Sequence, residues 1–373
     1  MLIGIDGRSL GPMKTGIGTY LSELLTRPPF CSNATDIHLF SHTPMASPLD
    51  QGVFHVVKAS YGLPWYLFRS HRSINRFNLD LFWGPQGLLP LQLRKTIPSV
   101  ITIHDCVHKA GVAYAPSVTY NLLHRQFLPR AVRRSSKILA VSNFVADEIR
   151  EYYGVPPGVL EVTPLGVGPR FLLANIDSTR MSQVLEDFQI EPPFVLWVGT
   201  LEPRKNLGKL LAAFALLPSN VRRRLMLVLV GKKGWGQKKM GSLLRTLSKD
   251  CRVRLTGYVK EADLPYIYAA AQVLVFPSFY EGFGLPVLEA MAAGCPVIAS
   301  NTSSLREVVG PAGITLDPTS PAEDWSQSIT TVLSSSELRG QLQERGFLQA
   351  GKYEWNSCAS HTYQVLRDTA KQA

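Results

Sequence analysis

Residues 276–300, FPSFYEGFGLPVLEAMAAGCPVIAS, constrain the fold of this chain more than any other stretch. The apolar run Val273-Leu274-Val275-Phe276 reads as a buried strand. A Pro-Ser turn and a glycine-punctuated loop follow it, and residues 285–293 read as a helix with Pro286 in its first turn. Gly294 stops that helix, and residues 296–299 begin a second apolar strand. Strand, loop, helix, strand is the repeat of a parallel α/β sheet. Glu281 sits in the loop and Glu289 in the helix. Two carboxylates beside a helix N-terminus suit a polyhydroxylated ligand that carries phosphate. The N–H groups and the helix dipole take the phosphate, and the carboxylates take hydroxyls. Either Glu alone reads equally as a solvated side chain near a helix start.

The same alternation runs through the chain. Residues 2–5, 37–40, 53–57, 79–83, 100–103 and 138–141 are short apolar runs, separated in places by helical patterns at 19–26, 65–77, 120–133 and 144–153. Pro129 is expected to break or kink the third of these helices. The pattern loosens over residues 163–193, where Pro164, Gly166, Gly168 and Pro169 come early and Pro192 and Pro193 late. It then restarts, with strands at 194–198, 225–230, 253–255 and 314–316 around the 273–300 unit. Helices are expected at 207–217, 236–249, 262–271, 322–333, 337–350 and 355–369. A chain of 373 residues is long enough for two domains. The expectation is therefore α/β: two doubly wound, Rossmann-like domains, residues 1–165 and 166–354, with the terminal helix 355–373 packing back on the first. Such sheets bind ligands at the carboxyl ends of their strands. If the two edges face each other, the site is a cleft between domains.

Hydrophobic residues make up 45% and charged residues 18%, which excludes a disordered chain. The net charge of +11 calls for an anionic partner: nucleic acid, a lipid headgroup or a phosphorylated metabolite. Five dispersed cysteines with no C-x-x-C pair point to a reducing compartment. The opening residues lack the basic start and long apolar run of a signal peptide, and no run approaches the roughly 18 apolar residues of a spanning helix. The expected location is the cytoplasm, free or peripheral on the inner face of the plasma membrane.

Three further segments fall at predicted strand ends. Gly16-Ile17-Gly18 departs from a dinucleotide-binding loop, because Leu21 stands at the third glycine position and no acid follows the second strand. Either a plain tight turn or a close approach to an anion fits it. His104, after Thr102-Ile103, is placed to bond a hydroxyl, or is held structurally by Asp105. It has no partners at metal-ligand spacing, so no metal site is expected. Gly199-Thr200-Leu201-Glu202-Pro203-Arg204-Lys205-Asn206 presents two cations before a helix that Asn206 is placed to cap. Cations there would stabilise the charge developing on a phosphate leaving group, or form a solvated basic turn. Residues 303–307, SSLRE, read as a short capped helix at the same rim.

In that order, these segments resemble the signature segments of retaining glycosyltransferases of family 4, which have the GT-B fold. Residues 276–300 with their Glu-x7-Glu pair and residues 199–206 carry the likeness, and Gly16-Ile17-Gly18 with His104-Asp105 extends it over nearly the whole chain. The resemblance implies that Lys205, assisted by Arg204, binds the diphosphate of a nucleotide sugar. It implies that Glu281 contacts hydroxyls of the transferred sugar and Glu289 those of the ribose. The backbone of Gly282, Phe283 and Gly284 would meet phosphate and sugar. His104 would touch the sugar and Gly16 would lie near the diphosphate, with Gly18, Thr200 and Leu285 completing the donor-binding set. His104, Lys205 and Glu281 are the implied catalytic residues, and no metal or cofactor is implied. Thr200 departs from the pattern, since many relatives carry Arg there. The implied chemistry is transfer with retention, the diphosphate itself accepting the acceptor's proton.

The opening segments IGIDGRSL and TGIGTYLSELL resemble bacterial mannosyl- and rhamnosyltransferases of polysaccharide assembly. That implies a GDP-mannose donor and a saccharide or lipid-linked acceptor. One rival is a sugar-nucleotide epimerase of similar two-domain fold, against which the Glu-x7-Glu segment argues. Another is a non-catalytic nucleic-acid-binding protein; the scatter of the basic residues and the lack of a basic-aromatic module argue against it. Residues 61–77, YGLPWYLFRSHRSINRF, read as a basic helix whose aromatic face lies on an anionic membrane, or as a core-facing helix with a solvated basic side.

Overall fold

The structure, a computed structural model, describes residues 1–11, 16–32, 36–45, 53–57, 59, 62–110, 118–232, 234 and 251–372. The helix expected at 236–249 lies outside the described residues. The described chain divides into two compact units. The first comprises residues 1–110, 118–166 and 354–372, and the second residues 167–353.

The first unit is built on a seven-stranded parallel sheet in the order β3-β2-β1-β4-β5-β6-β7. Its strands are β1 (Leu2–Asp6), β2 (Asp36–Ser41), β3 (Val53–Val56), β4 (Leu81–Gly84), β5 (Ser99–Ile103), β6 (Lys137–Ala140) and β7 (Leu160–Val162). The order reverses beside β1, whose register sets Ile3 opposite Leu81 and Ile5 opposite Trp83. The second unit repeats the scheme with six strands in the order β10-β9-β8-β11-β12-β13. They are β8 (Phe194–Val198), β9 (Met226–Val230), β10 (Arg252–Gly257), β11 (Val273–Phe276), β12 (Val297–Ser300) and β13 (Ile314–Leu316). Here the order reverses between β8 and β11. Both reversals are topological switch points, where ligands bind sheets of this kind.

The strands are legible as apolar runs because both faces of each inner strand are covered. Every residue of β8, β9, β11 and β12 is buried. In the second unit Trp197, Phe214 and Trp325 are fully buried between the sheet and helices Leu207–Ala215 and Ala322–Ser334. In the first unit Tyr20, Phe30 and Trp83 form an aromatic core to which helix Trp355–Lys371 adds Trp355 and Tyr363. That terminal helix packs on helix Gly16–Leu25 and on β4, β5 and β6. Among the described residues no helix is long and apolar enough to cross a membrane.

Four local readings change. Residues 65–77 form two pieces, Gly62–Phe68 and His71–Ile74, not one helix. Trp65, Tyr66 and Leu67 are buried, so the expected membrane-facing aromatic face points into the core and only Phe68 is exposed. Pro129 stands inside helix Val118–Arg134 and does not break it. Helix Ser178–Asp187 occupies the stretch where the pattern loosened; Asp177 caps it by accepting from Arg180 N at 2.6 Å.

Candidate active site

The carboxyl edge of the second sheet is shaped by the loops after β8 and β11. After β8 the chain passes through Gly199 and half-buried Thr200 into a 3₁₀ turn, Pro203–Lys205. The turn closes with Lys205 N donating to Glu202 O at 3.1 Å. A Cβ on Gly231, at the tip of β9, would overlap the Gly199 carbonyl oxygen, so these two strand ends meet only as glycine. Asn206 takes a left-handed conformation, φ 49°. Its side chain donates to Pro318 O at 3.2 Å and does not cap the following helix, contrary to the sequence expectation.

The loop after β11 meets this turn directly. Phe279 N donates to Arg204 O at 2.8 Å. Lys205 Nζ then pairs with Glu281 Oε1 at 2.6 Å, and Arg204 Nη1 with Glu281 Oε2 at 3.0 Å. Arg204 Nη1 also donates to Tyr280 O at 3.0 Å, while its Nε pairs with Glu202 Oε1 at 2.6 Å. Two cations and two carboxylates thus form one connected set in which Glu202, Lys205 and Glu281 are only 5–6% exposed. Lys205 Nζ lies 4.8 Å from the centroid of the Phe276 ring. Burial draws the Lys205 ammonium below its ordinary value, against the opposing pull of Glu281. Burial alone would raise the Glu281 carboxyl, but Lys205 and Arg204 outweigh it and hold the acid below the usual carboxylate range. The Glu281 carboxyl is therefore ionised at neutral pH.

Serines 303 and 304 fasten the Glu281 loop. Glu281 N donates to Ser303 Oγ at 3.0 Å, and Ser304 Oγ donates to Glu281 O and Phe283 O at 2.8 Å each. Ser304 is spent on the loop and makes no side-chain cap on the short helix Leu305–Val309. Gly284 precedes helix Leu285–Ala292 with φ 107°, and a Cβ there would stand 2.7 Å from Leu305 Cδ2. Gly282 and Phe283 are buried beside it. The helix start offers fewer N–H groups than expected, because Pro286 has none and Val287 N donates to Gly284 O at 3.0 Å. Glu289 sits in the second turn, half-buried, where Tyr268 Oη donates to its Oε2 at 3.0 Å.

The remaining predicted residues belong to the first unit. Gly16 is exposed at the start of helix Gly16–Leu25, and Gly18 is buried one turn in. His104, just past β5, donates from Nε2 to Pro85 O at 2.9 Å and packs edge-on against Tyr20 at 4.9 Å. Asp105 is not its holder: that carboxylate accepts from Val107 N at 3.2 Å. Burial pushes His104 down to about 4, so it is neutral at physiological pH and Nδ1 carries the acceptor lone pair.

The structure thus gathers Arg204, Lys205, Glu281 and the 282–285 loop into one site, with Glu289 on the same helix. Sequence reading missed Glu202, although it adjoins the cations, and Tyr268, which carried no signal. It also missed a buried pair at the edge of the first sheet. Arg8 bonds Asp6 through Nε at 2.8 Å and Nη2 at 2.7 Å, with its guanidinium 3.8 Å from the Tyr66 ring centroid. Among the described residues no group of three or more His, Cys, Asp or Glu is arranged to hold a metal ion.

Two family descriptions match the chain: "Glycosyltransferase Family 4" over residues 32–171 and "Glycosyl transferases group 1" over residues 185–349. An O-antigen chain mannosyltransferase B of Escherichia coli is 35% identical over 77% of this chain and 74% of its own. The serotype-specific mannosyltransferase WbdA of Escherichia coli is 29% identical over 61% of this chain, which spans only 28% of that longer protein. The crystal structure of WaaG, a glycosyltransferase involved in lipopolysaccharide biosynthesis, superimposes with a TM-score of 0.79 at 16% identity, covering 98% of this chain and 99% of that one.

Proposed function

The chain belongs to the family 4 glycosyltransferases and has their GT-B fold, and from that premise we propose that it moves a hexose from a nucleoside-diphosphate sugar to a saccharide or lipid-linked acceptor in polysaccharide assembly. GDP-mannose is the favoured donor, on the strength of its likeness to mannosyltransferases. The observation that carries the reading is buried Lys205 and Glu281, joined by half-buried Arg204, at the carboxyl edge of the second sheet. Lys205 and Arg204 take the diphosphate, whose charge grows as the sugar–phosphate bond breaks. Glu281, already ionised, turns its oxygens to the sugar hydroxyls, and Glu289 takes the ribose.

Transfer proceeds with retention. The bond from the anomeric carbon to the phosphate oxygen breaks, the acceptor oxygen bonds that carbon on the same face, and the acceptor's proton passes to the diphosphate. Neutral His104 offers Nδ1 to a sugar hydroxyl. On this reading no metal or organic cofactor enters, because the two cations meet the leaving charge. Thermal-shift screening against GDP-, UDP-, ADP- and dTDP-sugars identifies the donor, since a bound ligand stabilises by mass action. NMR of the product's anomeric configuration then tests retention, and an inverted product refutes it.

We place the reaction at the cytoplasmic face of an anionic membrane. The docking surface is composite and differs from the helix face expected from residues 61–77. Phe68 and Leu122 are 50% and 62% exposed, and Phe68 packs on Phe127 with ring centroids 5.8 Å apart. Arg69, Arg72, Arg94 and Arg130 are exposed around them. Asn75 Oδ1 accepts from Arg94 N at 3.2 Å, and Arg130 stands 5.3 Å from the Phe127 ring, so the segments form one surface. Exposed apolar groups ringed by cations suit anionic lipid. Sedimentation with phosphatidylglycerol vesicles should fall sharply in Arg69→Glu/Arg72→Glu, and unchanged binding refutes the docking.

A further inference from the structure

Glu202 stands outside the donor-contacting set, yet it closes the turn that carries both cations and pairs with one of them. Its backbone carbonyl accepts from Lys205 N at 3.1 Å, and its carboxylate holds Arg204 Nε at 2.6 Å. It is 6% exposed, so water screens this pair little. Counting formal charges, Glu202 and Glu281 balance Arg204 and Lys205 completely. The two acids differ in what a donor offers them. A sugar brings hydroxyls for Glu281, whereas Glu202 holds the guanidinium through Nε, a different nitrogen from the Nη1 that Glu281 contacts.

We propose that Glu202 is a positioning residue that keeps Arg204 half-neutralised, and so weakens the hold of the site on the nucleoside diphosphate left after transfer. This rests on the glycosyltransferase reading above. With Glu202 charged, the set carries no net charge and the diphosphate gains only what local geometry provides. With Glu202 neutral, the same geometry carries one uncompensated positive charge in a buried site, and the leaving diphosphate stays longer. Glu202 thereby trades product affinity for turnover. The balance matters because the same cations must attract the donor and release the product.

The test is a double-mutant cycle read by GDP, UDP, ADP and dTDP binding and by steady-state kinetics. Glu202→Gln keeps an oxygen for Arg204 Nε and removes the charge. It should bind the preferred nucleoside diphosphate about tenfold more tightly than wild type, with a steeper salt dependence, a lower kcat and an undiminished kcat/KM for donor. Arg204→Gln should bind more weakly than wild type, because it strands Glu202 beside the phosphates. Adding Glu202→Gln to Arg204→Gln should recover much of that loss. Equal or weaker binding by Glu202→Gln overturns the proposal. If that variant does not fold, the charge-neutral double decides: affinity no better than that of Arg204→Gln overturns it equally. A wild-type enzyme that binds none of the four nucleotides removes the glycosyltransferase reading itself, a failure distinct from altered ranking among the variants.

Discussion

The carboxyl edges of the two sheets differ in the polar groups they bury: histidines beside an ion pair in the first, a linked set of four charged side chains in the second. All eight histidines, His38, His42, His55, His71, His104, His108, His124 and His361, belong to the first unit, and the second has none. Near the first edge, burial keeps His104 and His108 neutral, beside the ion pair Arg8–Asp6. His104 donates to Pro85 O, and His108 Nε2 lies 2.6 Å from Tyr153 Oη. At the second edge two basic and two acidic side chains pair in one set, Glu202, Arg204, Lys205 and Glu281. On the function proposed above, the neutral groups of the first edge would meet hydroxyls and the ion cluster of the second a diphosphate.

The sharpest way to break this comparison is to disable each edge and compare losses. Lys205→Ala or Glu281→Ala should lower kcat/KM by about a thousandfold, as the loss of a main electrostatic stabiliser does. Glu281→Ala also leaves two buried cations short of their partner, at a cost on the order of 3–5 kcal/mol in stability. His104→Ala should cost only about ten- to a hundredfold, the worth of a hydrogen bond. Transfer assays over donor concentrations spanning KM measure both. Near wild-type transfer by Lys205→Ala removes the assignment, and equal losses at the two edges erase the contrast.

Acid should separate the two units next. Burial holds His104, His108 and His124 down to about 4, below the usual 6.5. A depressed folded value means that the unfolded chain binds more protons at intermediate pH. The stability these residues contribute is therefore complete above pH 6.5 and is lost as pH falls toward 4. For each fully buried group the loss approaches about 3 kcal/mol. In the second unit Glu281 is a buried carboxyl held low, and its contribution persists until pH falls below the ordinary carboxylate value. Hydrogen exchange at pH 5 against pH 7.5 should show loss of protection in β1, β4 and β5 while β8 and β11 keep theirs. Earlier loss from β8 would reverse the comparison.

What the sequence disclosed follows the same physics. Buried parallel strands are continuous apolar runs, so Leu2–Asp6 and Phe194–Val198 were readable, and with them the loops at their tips. Lys205 and Glu281 were legible as residue types on those loops, but their pairing was not, because 76 positions separate them and only the β8–β11 adjacency joins them. Helix Ser178–Asp187 escaped notice because it buries just Val184 and Leu185, too few for a periodic signal. The aromatic run at residues 65–68 misled for a related reason. Spacing shows that Trp65, Tyr66 and Leu67 share a helix with Phe68, but not which of them the sheet covers.

Backbone contacts offer a finer probe of the second edge. Gly231→Ala would push a methyl against the Gly199 carbonyl oxygen, and backbone there has no rotamer with which to yield. A loss of about 2–3 kcal/mol is expected, with donor affinity falling in parallel because Gly199 leads into the cation turn. Urea unfolding and nucleotide titration measure the two. A destabilised variant with intact donor affinity would uncouple that turn from the strand tips.

The smallest expected effect compares one buried hydroxyl in each unit. Thr102 accepts from Trp83 Nε1 at 3.0 Å and lies 3.3 Å from Tyr20 Oη, so it locks an aromatic core. Ser304 donates to Glu281 O and Phe283 O, so it locks a loop of the site. Thr102→Val keeps the shape, strands the Trp83 N–H and should cost about 1–3 kcal/mol in stability. Its effect on turnover should be slight. Ser304→Ala should cost about 1 kcal/mol in stability, yet lower kcat/KM severalfold, because Glu281 loses the anchor that aims it. If Thr102→Val proves the more damaging to turnover and Ser304→Ala the milder, the aromatic core of the first unit governs the chemistry more directly than its neutral edge implies.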